Sequence, residues 1–201
     1  MIELAAFLGN PGKEYSRNRH NAGFLLAERI KIIDQLSWQK KFKGLYAALG
    51  EGQARLHLIK PLSYMNLSGE SVSAAATFFK IKNDSILVIH DELELALGTI
   101  SLKFGGGLGG HNGLRSLKRS LGSADFWRLR LGIGRPDSRL PGEGGPEGSG
   151  EGIADWVLSD FSPEEAEAMD RVLGAAEELF LGILSDGPEG LLKEWAKKKI
   201  L

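Results

Sequence analysis

Residues 85 to 91 read Ser-Ile-Leu-Val-Ile-His-Asp (SILVIHD), a short unbroken apolar run closed by a histidine and an aspartate. A strand with one face in water alternates apolar and polar residues, whereas a continuous run of this kind suits a parallel strand covered on both faces. Parallel neighbours need crossover connections, which are usually helices. This one stretch therefore predicts strands alternating with helices packed on both sides of a sheet, and it leaves Asp91 at a strand's carboxyl end, where open α/β sheets bind ligands.

Outward from this strand, "IELAAFLG" (2–9) reads as a second buried strand ending in a Gly-Asn-Pro-Gly turn. Asn21 is placed to cap a helix over "AGFLLAERIKIIDQL" (22–36), with Phe24, Leu25, Ile30 and Ile33 along one side. "LYAALG" (45–50) and "RLHLIKP" (55–61) read as strands joined through the "EGQ" turn, and "SGESVSAAATFFK" (68–80) as a helix. "TISLKF" (99–104) alternates, which suits an edge or antiparallel strand; Asn112 and Gly122 bracket a short helix, and "WRLRLGIG" (127–134) is the next strand. "RPDSRLPGEGGPEGSGEG" (135–152) reads as a flexible low-complexity linker. Beyond it, Ser162 and Glu165 form a capping-box signature with Pro163 at the first helical position. The expected fold is α/β: a single-domain three-layer sandwich with a mixed, mostly parallel central sheet. That domain spans 1–201, with a flexible Gly-rich acidic insertion at 137–152 and a C-terminal helical segment at 162–201.

Composition narrows the class. The chain has 201 residues, 42% hydrophobic and 25% charged, as expected for one ordinary globular core. It has no cysteine, which excludes disulfides, thiolate-held metals and a cysteine nucleophile and suits a reducing cytoplasm. The first residues lack a basic leader region, and no uncharged stretch approaches the ~18 residues of a membrane span. The expected location is cytoplasmic, without a membrane partner. A net charge of −1 conceals a contrast: residues 103–135 carry seven Lys or Arg against Asp125 alone, whereas 139–170 carry nine acids against Arg139. The basic stretch reads either as a solvated face or as an electrostatic footprint for phosphates; a DNA-coating protein would usually be basic throughout.

Four polar residues fall at strand ends or beside them: Asn10, Asn66, Asp91 and Asn112. His20 stands just before a helix N-terminus, whose positive end disfavours imidazolium, while a nearby carboxylate favours it. A His20–Asp91 pair would form a general base with its tautomer held, and neutral amides would orient substrate or donate to a developing oxyanion. Taken singly, each of these residues also suits a turn, a cap or a structural role. Serine catalysis has little support, because no Gly-x-Ser-x-Gly elbow occurs and a helix start explains Ser68. Metal ligands are conceivable in His20, His90, Asp91, Glu92 and His111, but no His-Glu-x-x-His spacing occurs and neighbours on a strand point to opposite sides. Neither metal nor cofactor is expected. "GGGLGG" (105–110) matches Gly-x-Gly-x-x-Gly, yet the alternating strand before it and the position of Asp125 do not suit a dinucleotide fold. A loop that lets backbone approach a ligand, with Lys103 and Asn112 at its ends, fits better.

Five ordered blocks, "FLGNPGKEYSRNRHNAGF", "KPLSYMNLSGESV", "ILVIHDELELALG", "GGGLGGHNGLRSL" and "FWRLRLGIGRP", together resemble the bacterial-type peptidyl-tRNA hydrolase family; "DWVLSDFSPEE" follows more loosely. The resemblance implies hydrolysis of the ester between a peptide and tRNA, which frees tRNA for reuse. It implies His20 as base, Asp91 as its partner, Asn10 and Asn66 as residues that hold substrate, and Asn112 as one positioning substrate or water, with His111 beside it. Tyr15 and Met65 would line the cleft, and Lys103 and Arg130 would meet a tRNA phosphate. The expected partner is peptidyl-tRNA, with no DNA, and the chain is expected to act as a monomer. A non-catalytic RNA-binding relative and a metal-dependent hydrolase of another ester or amide stand as alternatives. Leu108, among the glycines, and the long insertion depart from the family's pattern.

Overall fold

The computed structural model describes residues 1–52, 55–136 and 150–201. Its centre is β5 (Ile86–Glu92), all seven residues of which are buried. β5 lies between β1 (Leu4–Phe7) and β7 (Trp127–Gly132) and runs parallel to both; β4 (Leu56–Pro61) extends the parallel group beyond β1. The flanks are antiparallel. On one side β3 (Gly44–Leu49) pairs β4 and β2 (Gln39–Lys41) pairs β3; on the other β6 (Thr99–Phe104) pairs β7 and a two-residue β8 (Lys198–Lys199) pairs β6. One continuous eight-stranded sheet results, in the order β2-β3-β4-β1-β5-β7-β6-β8.

Alternation along the strands sends side chains into two separate cores. Ala5, Phe7, Leu87, Ile89, Leu129 and Leu131 join the core beneath α1 (Ala22–Arg29) and α6 (Pro163–Asp186). Leu4, Ala6, Leu8, Ile86 and Val88 join the other, beneath α3 (Ser68–Phe79) and α4 (Asn112–Leu121). Three layers follow, and each wholly buried Ile or Leu of β5 contributes about 2 kcal/mol of hydrophobic stabilisation.

The helix expected over 22–36 is broken at Ile30, whose extended backbone (ψ 99°) ends α1 and starts α2 (Lys31–Asp34). The Ile30 carbonyl accepts from the amides of Ile33 and Asp34, and both isoleucines are fully buried. β6 is antiparallel as its alternation suggests, and it has partners on both sides. The linker expected over 135–152 falls mostly outside the described residues, but its last three residues belong to α5 (Gly150–Leu158). Ser162 caps α6 with the full reciprocal box to Glu165, and the C-terminal segment ends in α7 (Leu192–Trp195) followed by β8. Among the described residues, no helix is long and apolar enough to cross a membrane.

Candidate active site at the carboxyl ends of the central strands

Because β1 and β5 are parallel neighbours, residues beyond their ends meet at one rim. The segment after β1 bonds Leu8 N–H to the Ile89 carbonyl at 3.0 Å and then turns through Asn10. A short helical turn, Arg19–Asn21, brings the chain back to the rim ahead of α1. Gly23 makes this return possible: a Cβ there would stand 2.5 Å from the Leu8 carbonyl oxygen and 2.7 Å from that of Ile89. With glycine, the start of α1 rests directly on the two strands and carries His20 to Asp91.

His20 Nδ1 lies 2.9 Å from each carboxylate oxygen of Asp91, which is 1% exposed. From the opposite layer, His111 Nε2 reaches Asp91 Oδ1 at 2.9 Å. Its Nδ1 accepts from the amides of Gly113 and Leu114 at 3.1 and 3.3 Å, capping α4. Amides only donate, so His111 Nδ1 carries the lone pair and Nε2–H donates to Asp91. An ionised Asp91 likewise accepts from His20 Nδ1–H, leaving the lone pair of neutral His20 on Nε2. Burial pulls the His20 pKa down, but the charge of Asp91 and its hydrogen bond outweigh this and leave it raised. Burial pushes Asp91 up, yet the two imidazoles hold it well below the usual carboxylate range.

The asparagines divide. Asn21 does not cap α1 as the sequence suggests: its Oδ1 accepts from Asn10 N–H at 2.9 Å and its Nδ2 donates to the Asn10 carbonyl at 3.0 Å. Asn10 Oδ1 accepts from Met65 N–H at 2.8 Å, which turns Asn10 Nδ2 away from Met65 N. Asn112 is not the α4 cap either, because His111 takes that place; Asn112 is the exposed first residue of the helix. Asn66 is exposed beside buried Met65, and half-buried Tyr15 meets Tyr64 edge-on, with centroids 6.4 Å apart.

Lys103 and Arg130 share a sheet face without standing opposite each other: Lys103 pairs in register with Arg128, and Arg130 with Ser101. Arg130 is bound to Glu92 through Nε and Nη2 at 3.0 and 2.9 Å and to Ser101 Oγ at 3.3 Å. Arg128, which sequence reasoning passed over, is 1% exposed and donates to the carbonyls of Gly105 and Gly107, so a buried cation holds the glycine loop from below. Its signal in the sequence is the period-two spacing with Arg130, which sends both arginines to the face of Val88 and His90. His90 is fully buried and bonds the Asp91 carbonyl through Nδ1 at 2.6 Å, facing away from the carboxylate as strand alternation demands.

His20, Asp91 and His111 bring three potential metal-ligating atoms within 4.8 Å of one another. Their hydrogen-bond roles do not suit a metal, because both imidazole nitrogens aimed at Asp91 carry hydrogens rather than lone pairs. A buried carboxylate holding an imidazole at the rim of an open α/β sheet, among neutral amides, is the equipment of a hydrolase working by general-base catalysis. The Peptidyl-tRNA hydrolase family model matches residues 4–200, and the chain belongs to that family. It is 45% identical over 206 residues to the peptidyl-tRNA hydrolase of Treponema pallidum (strain Nichols), covering 100% of this chain and 97% of the relative. With that of Trichlorobacter lovleyi it shares 48% identity over 185 residues, 92% of this chain and 90% of the relative. The crystal structure of the Acinetobacter baumannii peptidyl-tRNA hydrolase superposes with a TM-score of 0.84 at 34% identity, covering 100% of this chain and 97% of the other.

Proposed function

We propose that His20 Nε2 is the base that activates water in this reaction. The chain hydrolyses the ester between peptide and tRNA. As water attacks the ester carbonyl, its proton passes to Nε2 while Nδ1–H stays bonded to Asp91, whose negative charge stabilises the imidazolium formed. The tetrahedral oxyanion then collapses, the bond to the terminal ribose oxygen breaks, and that oxygen takes the proton from His20. Asn10 Nδ2, turned away from Met65 N, and the exposed amides of Asn66 and Asn112 are the donors for the oxyanion and the substrate amide. Met65 and Tyr15 line the ester's surroundings, His111 holds the second side of Asp91, and Lys103 with Arg130 faces tRNA phosphate. The scheme asks for no second copy, and the chain is proposed to act as a monomer. The scheme involves neither metal nor cofactor, DNA nor membrane, and its setting is the cytoplasm, where peptidyl-tRNA is made.

The single observation carrying this reading is the symmetric 2.9 Å contact of His20 Nδ1 with both oxygens of buried Asp91. The test is release of N-acetyl amino acid from its tRNA, with and without EDTA, by wild type and by His20→Ala. EDTA-resistant release lost in the folded variant is the expected result. Wild-type rates from His20→Ala would remove His20 from the chemistry, and loss with EDTA would turn the reading to a metal.

A further inference from the structure

We infer that Arg19 is a positioning residue for His20, pinning the turn that carries the base to the α5–α6 junction; this rests on His20 being the base. The turn is fastened there at several points. Asn18 Nδ2 donates to the Leu158 carbonyl, Asn18 bridges to Asp160, and Arg19 N–H donates to the Ser159 carbonyl at 3.0 Å. The Arg19 guanidinium lies 3.7 Å from the centre of the Trp156 ring and 4.9 Å from that of Phe161. Its Nη2 reaches Glu165 Oε2 at 2.8 Å, the same oxygen that accepts from Ser162 N–H in the α6 capping box. Trp156 is itself tied by Nε1–H to the Gly134 carbonyl, 2.9 Å away and just beyond the end of β7. A continuous set of contacts therefore runs from the end of β7 through Trp156 to Arg19, the residue next to His20.

The chemistry of the slot argues that it does more than fill space. Arg19's side chain is 5% exposed, and its Nε and Nη1 have no hydrogen-bond partner among the described residues. An apolar side chain of similar length would occupy the slot without the desolvation cost of a half-satisfied cation. A planar guanidinium does what such a side chain cannot: it stacks on a ring while its edge reaches a carboxylate, which fixes both the distance and the rotation of the turn. Since Asp91 is held independently by β5 and His111, the place of the turn decides whether His20 Nδ1 meets the carboxylate.

The test compares Arg19→Met, which keeps length and removes charge, with Trp156→Leu and Arg19→Lys, using an N-acetyl-aminoacyl-adenosine ester and the full tRNA. In folded Arg19→Met and Trp156→Leu, kcat is expected to fall about tenfold on both substrates while KM stays within about twofold. The acid limb of kcat is expected to move to lower pH, because a looser contact weakens the upward pull of Asp91 on His20. Arg19→Lys, which restores the cation, is expected to recover part of the loss. A folded Arg19→Met with wild-type kcat and an unmoved limb overturns the inference, as does a loss confined to KM. If Arg19→Met does not fold, Trp156→Leu decides by the same criteria. His20→Ala in the same assay separates the two readings: an active His20→Ala removes the base itself, whereas an inactive His20→Ala beside a wild-type-like Arg19→Met removes only the pin.

Discussion

The pairing of His20 with Asp91 sets stability and activity against each other. His20 is raised above its ordinary value of 6.5, so the stabilisation from its charged form is fully present below that value and is lost as pH climbs through the raised one. Asp91 is depressed from 3.8, so its contribution is present above that value and is lost as acid approaches its folded-state pKa. The pair thus stabilises the fold most between those two ordinary values, where His20 holds a proton and cannot act as a base. With His20 as the proposed base, activity needs the opposite state, and the acid limb of kcat/KM for wild type is expected above pH 6.5. Asp91→Asn is expected to move this limb below 6.5, since burial alone lowers His20, and to cut kcat by about 10³-fold through loss of the tautomer and of the stabilised imidazolium. A limb unmoved in that variant would mean that another group titrates. The roles read from the sequence rested on residue types collected at strand ends. What the sequence did not show is that Asp91 accepts from two imidazoles, because His111 arrives from the other layer and its orientation depends on the amides of α4.

At the scale of elements, helix ends were legible only where the signal was local. Ser162 and Glu165 lie three residues apart and cap α6 as expected, and Gly122 ends α4 in the left-handed conformation (φ 76°). The caps assigned to Asn21 and Asn112 fail because tertiary partners compete: Asn10 claims the first, and His111 displaces the second. Helix packing sets a further demand. Gly69, in the first turn of α3, lies so close to α4 that a Cβ would stand 2.2 Å from the Ser116 carbonyl oxygen. Relief requires α3 to shift against its layer or α4, which carries His111 at its start, to move. Gly69→Ala is therefore expected to destabilise the protein by about 2 kcal/mol, read as a lowered denaturant midpoint with unchanged slope, and to lower kcat. An unchanged midpoint would show that α3 and α4 can separate freely.

Across the whole molecule, the basic stretch of 103–135 proves to be several different things. Arg128 is internal, Arg130 is committed to Glu92, and Arg135 pairs with Glu94, while Arg115, Lys118 and Arg119 line the outer side of α4. Net charge along a sequence cannot separate these, because burial and pairing are decided by strand register. Lys103→Ala is expected to raise KM about tenfold for full tRNA, to leave the short ester unaffected, and to reduce the salt dependence of tRNA binding by about one ion. Equal effects on both substrates would count against a phosphate contact. Arg130→Ala is a less clean probe, since it strands the buried Glu92 carboxylate. The layered α/β plan was legible from the apolar runs of β1 and β5, whose alternation feeds both cores. The antiparallel flanks were only partly so: β6 showed its alternation, whereas the two lysines of β8 carry no strand signal and pair only because α7 delivers them to the edge.

The bonds from Arg19 to Glu165 and from Asn18 to Leu158 span 146 and 140 positions of the chain. A ribosome works from the amino end, so the turn bearing His20 leaves the exit tunnel long before the segment that closes on it. Until residues beyond Trp156 have emerged, the turn bearing the proposed base lacks these contacts. The nascent chain is itself joined to tRNA by the kind of ester the finished enzyme cleaves, and the order of its own synthesis delays the fastening of the His20 turn until most of the polypeptide has been made.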